Sequence, residues 1–222
     1  MKTLPRAFDL ACHLVFPQSC PVCGRLGVVI CPECMQELAR RRLMPHCLAC
    51  GSSSPCPRHE ERYPVSALCH HEKAARDALL AAKYERQGLL ARELGKALAS
   101  LIDEERSWTI TTVPPHDRLL LFPQGDSHLL WMARGLSEAT GFSVRSLLAW
   151  RSSQKPQKEQ ESRQARKKMP PDCFKCLVPP PEWVLLLDDV CTTGTTLLRG
   201  AQALYAGGAR EVRSLSWSMA VQ

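Results

Sequence analysis

Unbroken apolar runs and stretches with apolar residues three and four apart follow one another along this chain, and they predict strands and helices in turn. The most telling run is Val184-Leu185-Leu186-Leu187. It has no polar alternation, as in a strand buried on both faces of a parallel sheet, and Asp188 and Asp189 mark where that strand reaches the surface. A helix-like run, 197–206, comes soon after it. Upstream, 63–69 reads as a short strand and 72–102 as a long helical region broken near Gly88. Leu90, Leu94, Ala97 and Leu101 fall on one helix face there. The β-branched stretch 108–113, stopped by Pro114 and Pro115, predicts a strand. Residues 127–140 predict a helix, with Leu129, Leu130, Ala133 and Leu136 at helical spacing and Gly141 as its stop. Residues 142–150 and 211–219 predict further strands. The pattern as a whole predicts an α/β fold, a parallel sheet with helices on both faces and a ligand site beyond the carboxyl ends of its strands.

The length of 222 residues suits one medium domain, alone or with a small appendage. The cysteines favour the appendage, because nine of the twelve fall before residue 70. Net charge of +7 is compatible with phosphate-rich partners and specifies none. Residues 7–17 are too short to span a bilayer and contain Asp9 and His13; no small-x-small cleavage site follows them, so they predict a short amphipathic helix docked on the body. A cytoplasmic location is expected, where thiols stay reduced and paired cysteines mean metal more often than disulfides.

The cysteine spacing fits that reading. Cys20-x-x-Cys23, Cys31-x-x-Cys34, Cys47-x-x-Cys50 and Cys56-x-x-His59 are four two-ligand knuckles, enough for two tetrahedral zinc sites. Sequential pairing places Cys20, Cys23, Cys31 and Cys34 on one ion and Cys47, Cys50, Cys56 and His59 on the other. Spacing alone leaves an interleaved pairing open. Gly24 and Gly51 follow two of the knuckles, where tight turns aim backbone N–H groups at sulfur. A segment of this size with few large apolar side chains needs such a staple, so both ions are read as architectural. Cys173-x-x-Cys176 has no partner pair and is taken as incidental.

The chemistry concentrates at 184–196. Thr192, Thr193, Gly194, Thr195 and Thr196 put four hydroxyls and a glycine just ahead of a helix, where N–H groups and the helix dipole can hold a phosphate. Two carboxylates facing that phosphate would be repelled, and as acceptors they suit sugar hydroxyls or a divalent metal instead. A sugar phosphate accounts for both halves. The block resembles the signature of type I phosphoribosyltransferases, which bind 5-phosphoribosyl 1-diphosphate (PRPP). The resemblance implies that Asp188 and Asp189 hold the ribose 2′ and 3′ hydroxyls, that 192–196 hold the 5′-phosphate, and that Mg²⁺ enters with PRPP.

A second resemblance covers the whole chain. Four knuckles, the segment Leu79-Leu80-Ala81-Ala82-Lys83-Tyr84, the opening Val113, Pro114, His116 and Arg118, and Gln157, Arg166 and Phe174 are similar to the ComF family, zinc ribbons followed by a phosphoribosyltransferase-like domain. The departures are His59 in the last knuckle, the missing Asn after Arg166, and Leu-Phe-Pro-Gln-Gly-Asp-Ser-His at 121–128 where the family has Arg-Gly-Phe-Asn-Gln. His116, Arg118 and His128 are candidates to compensate. The expected layout is an N-terminal helix at 1–17, a double zinc ribbon at 18–62 and a phosphoribosyltransferase-like domain at 63–222. The resemblance implies transfer of phosphoribosyl from PRPP to an unidentified acceptor and a link to DNA uptake. The alternative is a non-enzymatic PRPP sensor or single-stranded-DNA-handling competence protein. Residues 151–168, with seven Lys or Arg, two Glu and four Gln, read as a loop with three possible roles: a hood over PRPP, a DNA-contacting arm or a solvated linker.

Overall fold

A computed structural model describes residues 18–40, 43–60, 62–84, 88–102, 106–115, 127–151 and 169–220. The expected N-terminal helix, His116, Arg118, residues 121–126 and the basic loop 152–168 lie outside them.

The central strand is β7 (Trp183–Cys191), in which Val184, Leu185, Leu186 and Leu187 are all essentially inaccessible. Consecutive buried residues on a strand require cover on both sheet faces. β8 (Glu211–Met219) runs parallel on one side and β3 (Thr109–Thr112) on the other; β2 (Pro64–His70) lies beyond β8 and β4 (Ser143–Val144) beyond β3. The short strand β1 (His46–Cys47) adds antiparallel to β2 and completes the six-stranded sheet. The cysteine-rich segment, which also carries α1 (Pro32–Arg40), is therefore joined to the main sheet through backbone pairing.

The long helical region divides as its pattern predicts, into α2 (Lys73–Tyr84) and α3 (Leu89–Ala97), with Gly88 between them and a 3₁₀ turn at Leu98–Leu101. Helix α4 (His128–Thr140) starts where Ser127 Oγ accepts the Leu130 N–H at 3.2 Å and stops at Gly141. Helix α5 (Thr195–Ala206) follows the Thr-rich loop and packs on β7, with Leu186 against Gly200. Helices α3 and α4 cross with almost no space between their backbones. A Cβ on Gly95 would meet the Met132 carbonyl oxygen, and one on Gly135 that of Arg92.

One expectation needs correction. The stretch 142–150, read as one strand, is two: β4 in the main sheet and β5 (Leu148–Trp150) in a separate antiparallel pair with β6 (Phe174–Cys176). The chain turns away after Arg145 N–H bonds to Ile110 O, and Leu147 N–H donates to Thr111 Oγ1 instead of a ladder carbonyl. The new pair closes over the aromatic contact of Trp150 with Phe174, 4.4 Å between ring centres. Two adjacent apolar strands in different sheets are indistinguishable from one strand by periodicity.

Gly95→Ala tests the helix crossing. The opposing atom is backbone and cannot rotate away, so the variant should lose about 1–3 kcal/mol or more as an overpacked core. A lower urea midpoint with an unchanged slope would register it.

Candidate sugar-phosphate site and metal clusters

The register of the sheet gathers the site. Asp188 pairs with Ser216, one residue past the Leu187–Leu215 pair, and Val113 N–H donates to Leu187 O as the chain leaves β3. The carboxyl ends of β2, β3 and β7 therefore open into one cleft of about 470 Å³, within the range of small-molecule sites. Its walls include Asp188, Asp189, the whole loop 192–196, Val113, Pro114, His128 and one face of α2. That face carries Arg76, Leu79, Leu80 and Lys83 at helical spacing. All seven residues expected to bind PRPP line the same cleft.

Asp189 is not idle. Its Oδ2 accepts from His128 Nε2 at 2.9 Å and from Lys83 Nζ at 2.7 Å, and its Oδ1 accepts from Val190 N–H at 2.6 Å. Burial opposes the charged form, but the bond from His128 and the Lys83 ammonium outweigh it and hold the carboxyl far below its ordinary range. His128 is the first residue of α4, whose positive end adds to the same effect. Asp188 is turned differently, with Oδ1 taking the Asp189 N–H at 2.9 Å. The two acids therefore have unlike surroundings. His71, at the end of β2, meets Ser218 Oγ at 2.8 Å, and burial followed by the charge of Arg76 depresses its pKa.

The Thr-rich loop follows Cys191. Burial and then the Asp188 charge push that thiol up to about 12, which removes it as a nucleophile at neutral pH. Gly194 is the N-cap of α5 at φ 71°, a conformation that disfavours any Cβ, and the hydroxyls of Thr193 and Thr195 stand 3.0 Å apart. The first N–H groups of α5 have no partner in the helix and open onto the cleft with these hydroxyls.

The cysteines assemble into two groups, Cys20, Cys23, Cys31 and Cys34, and Cys47, Cys50, Cys56 and His59, each with its ligand atoms within 4.8 Å of one another. The pairing is thus sequential. Tetrahedral zinc with Zn–S near 2.3 Å sets sulfurs about 3.8 Å apart, and sulfur and imidazole nitrogen about 3.6 Å apart. Cys23 and Cys31 are separated by 3.6 Å, Cys50 and Cys56 by 3.5 Å, and His59 Nδ1 lies 3.5 Å from Cys47 and 3.6 Å from Cys56. Both donor sets fit zinc, and four protein ligands on each leave no place for substrate. The turns that shape them are closed by Gly24 N–H to Cys20 O and Gly51 N–H to Cys47 O, both 2.8 Å, with both glycines at positive φ. Cys173 and Cys176 join no such group among the described residues; Cys176 Sγ donates to Ala203 O at 3.3 Å.

One curated protein and two solved structures resemble the chain in part. The competence protein ComFC of Streptococcus pneumoniae (strain ATCC BAA-255 / R6) is 25% identical over 195 residues, covering 86% of this chain and 81% of that one. The chain is similar to that protein over most of its length. No family profile matches it. Among solved structures, an allosteric regulatory enzyme of purine biosynthesis is 23% identical over 59% of this chain at a TM-score of 0.39. The glutamine PRPP amidotransferase of B. subtilis, complexed with ADP and GMP, is 22% identical over 59% at the same score. The chain spans about a quarter of the length of each, 25% and 26%. The fold is a mixed α/β one with a mainly parallel sheet, preceded by cysteine clusters suited to a double zinc ribbon. No helix among the described residues is long and apolar enough to cross a membrane.

Sequence reasoning named Lys83 and His128 for other reasons and missed their meeting at Asp189. The Lys-aromatic helix end at 83–84 was the available signal, since a helix ending in lysine beside a strand terminus can reach a carboxylate there.

Two outcomes follow for the chain. Lys83→Met removes the ammonium and leaves Asp189 with His128 and the Val190 N–H, so its pKa should rise, read by NMR of the carboxyl carbon. Stability should fall by about 1–3 kcal/mol, below the full cost of stranding a buried charge. A depressed carboxyl contributes stability above its unfolded pKa of about 4, and that contribution disappears as pH falls through the folded value. The gap between variant and wild type should therefore be present at pH 7 and close in acid. Metal analysis of protein purified without added zinc should give two ions per chain, and His59→Ala should remove about one.

Proposed function

We propose that the cleft binds PRPP with its ribose hydroxyls on Asp188 and Asp189 and its 5′-phosphate on the loop of Thr192, Thr193, Gly194, Thr195 and Thr196. The observation that carries this reading is the placement of an acid pair and a helix-capping hydroxyl loop on one strand end, lining one cleft. The sugar hydroxyls donate to carboxylate oxygens that Lys83 and His128 now occupy in part. Lys83 then turns toward the diphosphate, whose charge replaces that of Asp189 as its partner. Arg76, on the same face of α2, adds a second cation to that wall.

Mg²⁺ belongs to the substrate in this reading. Asp189 already accepts from Lys83, His128 and Val190 N–H, so the acid pair is not a cation cage, and the ion is carried by the diphosphate. The proposed reaction breaks the bond from C1 to the diphosphate oxygen through an oxocarbenium-like state and forms a bond from C1 to the acceptor, releasing pyrophosphate. The chain's contribution is positioning, exclusion of water and cations near the departing group.

A second reading has its own support. The relative is a competence protein by name, and this sequence departs from the family at 121–128. It assigns the chain to PRPP sensing or single-stranded-DNA handling in DNA uptake, without turnover. Pyrophosphate release with candidate acceptors separates the two: binding without release supports the sensor, and release supports the transferase.

The acid roles have a direct test. Asp188→Asn with Asp189→Asn should weaken PRPP binding by tenfold or more, since each loses charge-assisted bonds of about 1.5–3 kcal/mol, and should change inorganic phosphate binding little. Calorimetry with both ligands reads the difference. Equal losses for both would remove the role given to the acids.

A further inference from the structure

The second metal cluster reaches the phosphate loop through one side chain. Cys47 ends β1, and Leu48 follows it, its N–H fixed to Tyr63 O at 2.9 Å. Leu48 is 9% exposed and belongs to the main hydrophobic core, although it stands between the candidate ligands Cys47 and Cys50. Its Cδ2 lies 2.7 Å from where a Cβ on Gly194 would stand, with Cys191 Sγ 3.7 Å from the same point. Leu48 therefore packs against the loop at the left-handed residue on which the cap of α5 depends.

We infer that Leu48 is a positioning residue for the phosphate site, and that the cluster of Cys47, Cys50, Cys56 and His59 holds it in place. The physical route is short. The knuckle turn, closed by Gly51 N–H to Cys47 O and by Cys47 N–H to Ser52 O, both 2.8 Å, fixes the backbone from which Leu48 reaches Gly194. With metal bound, the turn is rigid and Leu48 is a fixed wall behind Gly194. Without metal, the knuckle loosens and the wall recedes, because the segment has little apolar core of its own to hold it. The zinc ribbon thus acts on ligand binding without touching ligand. The link to phosphate binding rests on the proposed PRPP reading; the contact with the loop does not.

Hydrogen exchange on the zinc-loaded full chain tests the contact itself. Leu48→Ala should retain two zinc ions and exchange its 192–197 amides about tenfold faster, the size of coupling found for residues remote from ligand. Leu48→Met, which fills a similar volume, should restore wild-type exchange. Stripping the second ion with a chelator should speed the same amides in wild type and add little in Leu48→Ala, where the connection is already cut. Unchanged exchange in Leu48→Ala overturns the inference, and so does acceleration spread evenly over the sheet or additive with metal loss. Titration with PRPP and Mg²⁺ is the separate arm. Wild-type binding that drops about tenfold in Leu48→Ala supports the coupling to the phosphate site, and equal affinity overturns it. A wild type that does not bind PRPP removes the functional reading and leaves the exchange result to decide the role of Leu48.

Discussion

Four consecutive inaccessible residues, Val184 to Leu187, fix β7 between two covered faces, and the position of everything chemical depends on that burial. A strand held from both sides cannot slip by one residue without turning its side chains to the wrong face. Its end is therefore a fixed point. Asp188 and Asp189 leave the sheet there, and the Thr-rich loop has only Val190 and Cys191 between it and the acids. The glycine cap at Gly194 then starts α5, which returns over β7 and completes the cover.

Around that point the site is built from opposed charges. Asp189 in a partly buried position would be costly alone; the Lys83 ammonium neutralises it, and His128, from a different helix, adds a hydrogen bond. A ligand that takes over the carboxylate must compensate the Lys83 ammonium, and a phosphorylated sugar carries both hydroxyls for the acid and negative charge for the lysine.

The parts of this design that are local in sequence were legible in it. The apolar run, the acid pair, the loop, the break at Gly88 and the Ser127 and Gly141 ends of α4 all rest on neighbouring residues. So did the metal knuckles, although their pairing needed distances. The remainder depends on contacts between distant segments. The split of β4 from β5 follows from Trp150 meeting Phe174, 24 residues further along the sequence, and no periodicity reports that. Lys83 and His128 converge on Asp189 only because β2 and β3 end at the same edge as β7. Nothing in the local pattern singles out Leu48, and its burial against Gly194 is visible only once β1 joins β2.

The central claim is that this cleft reads a ribose phosphate through both its hydroxyls and its phosphate. Calorimetric comparison of ribose 5-phosphate with 2-deoxyribose 5-phosphate on the zinc-loaded protein isolates the hydroxyl contribution, since the two differ by one oxygen. The account predicts that loss of that hydroxyl costs about tenfold or more in affinity, as expected for a hydrogen bond to a charged group. Equal affinity for the two sugars, or binding of neither, would contradict it.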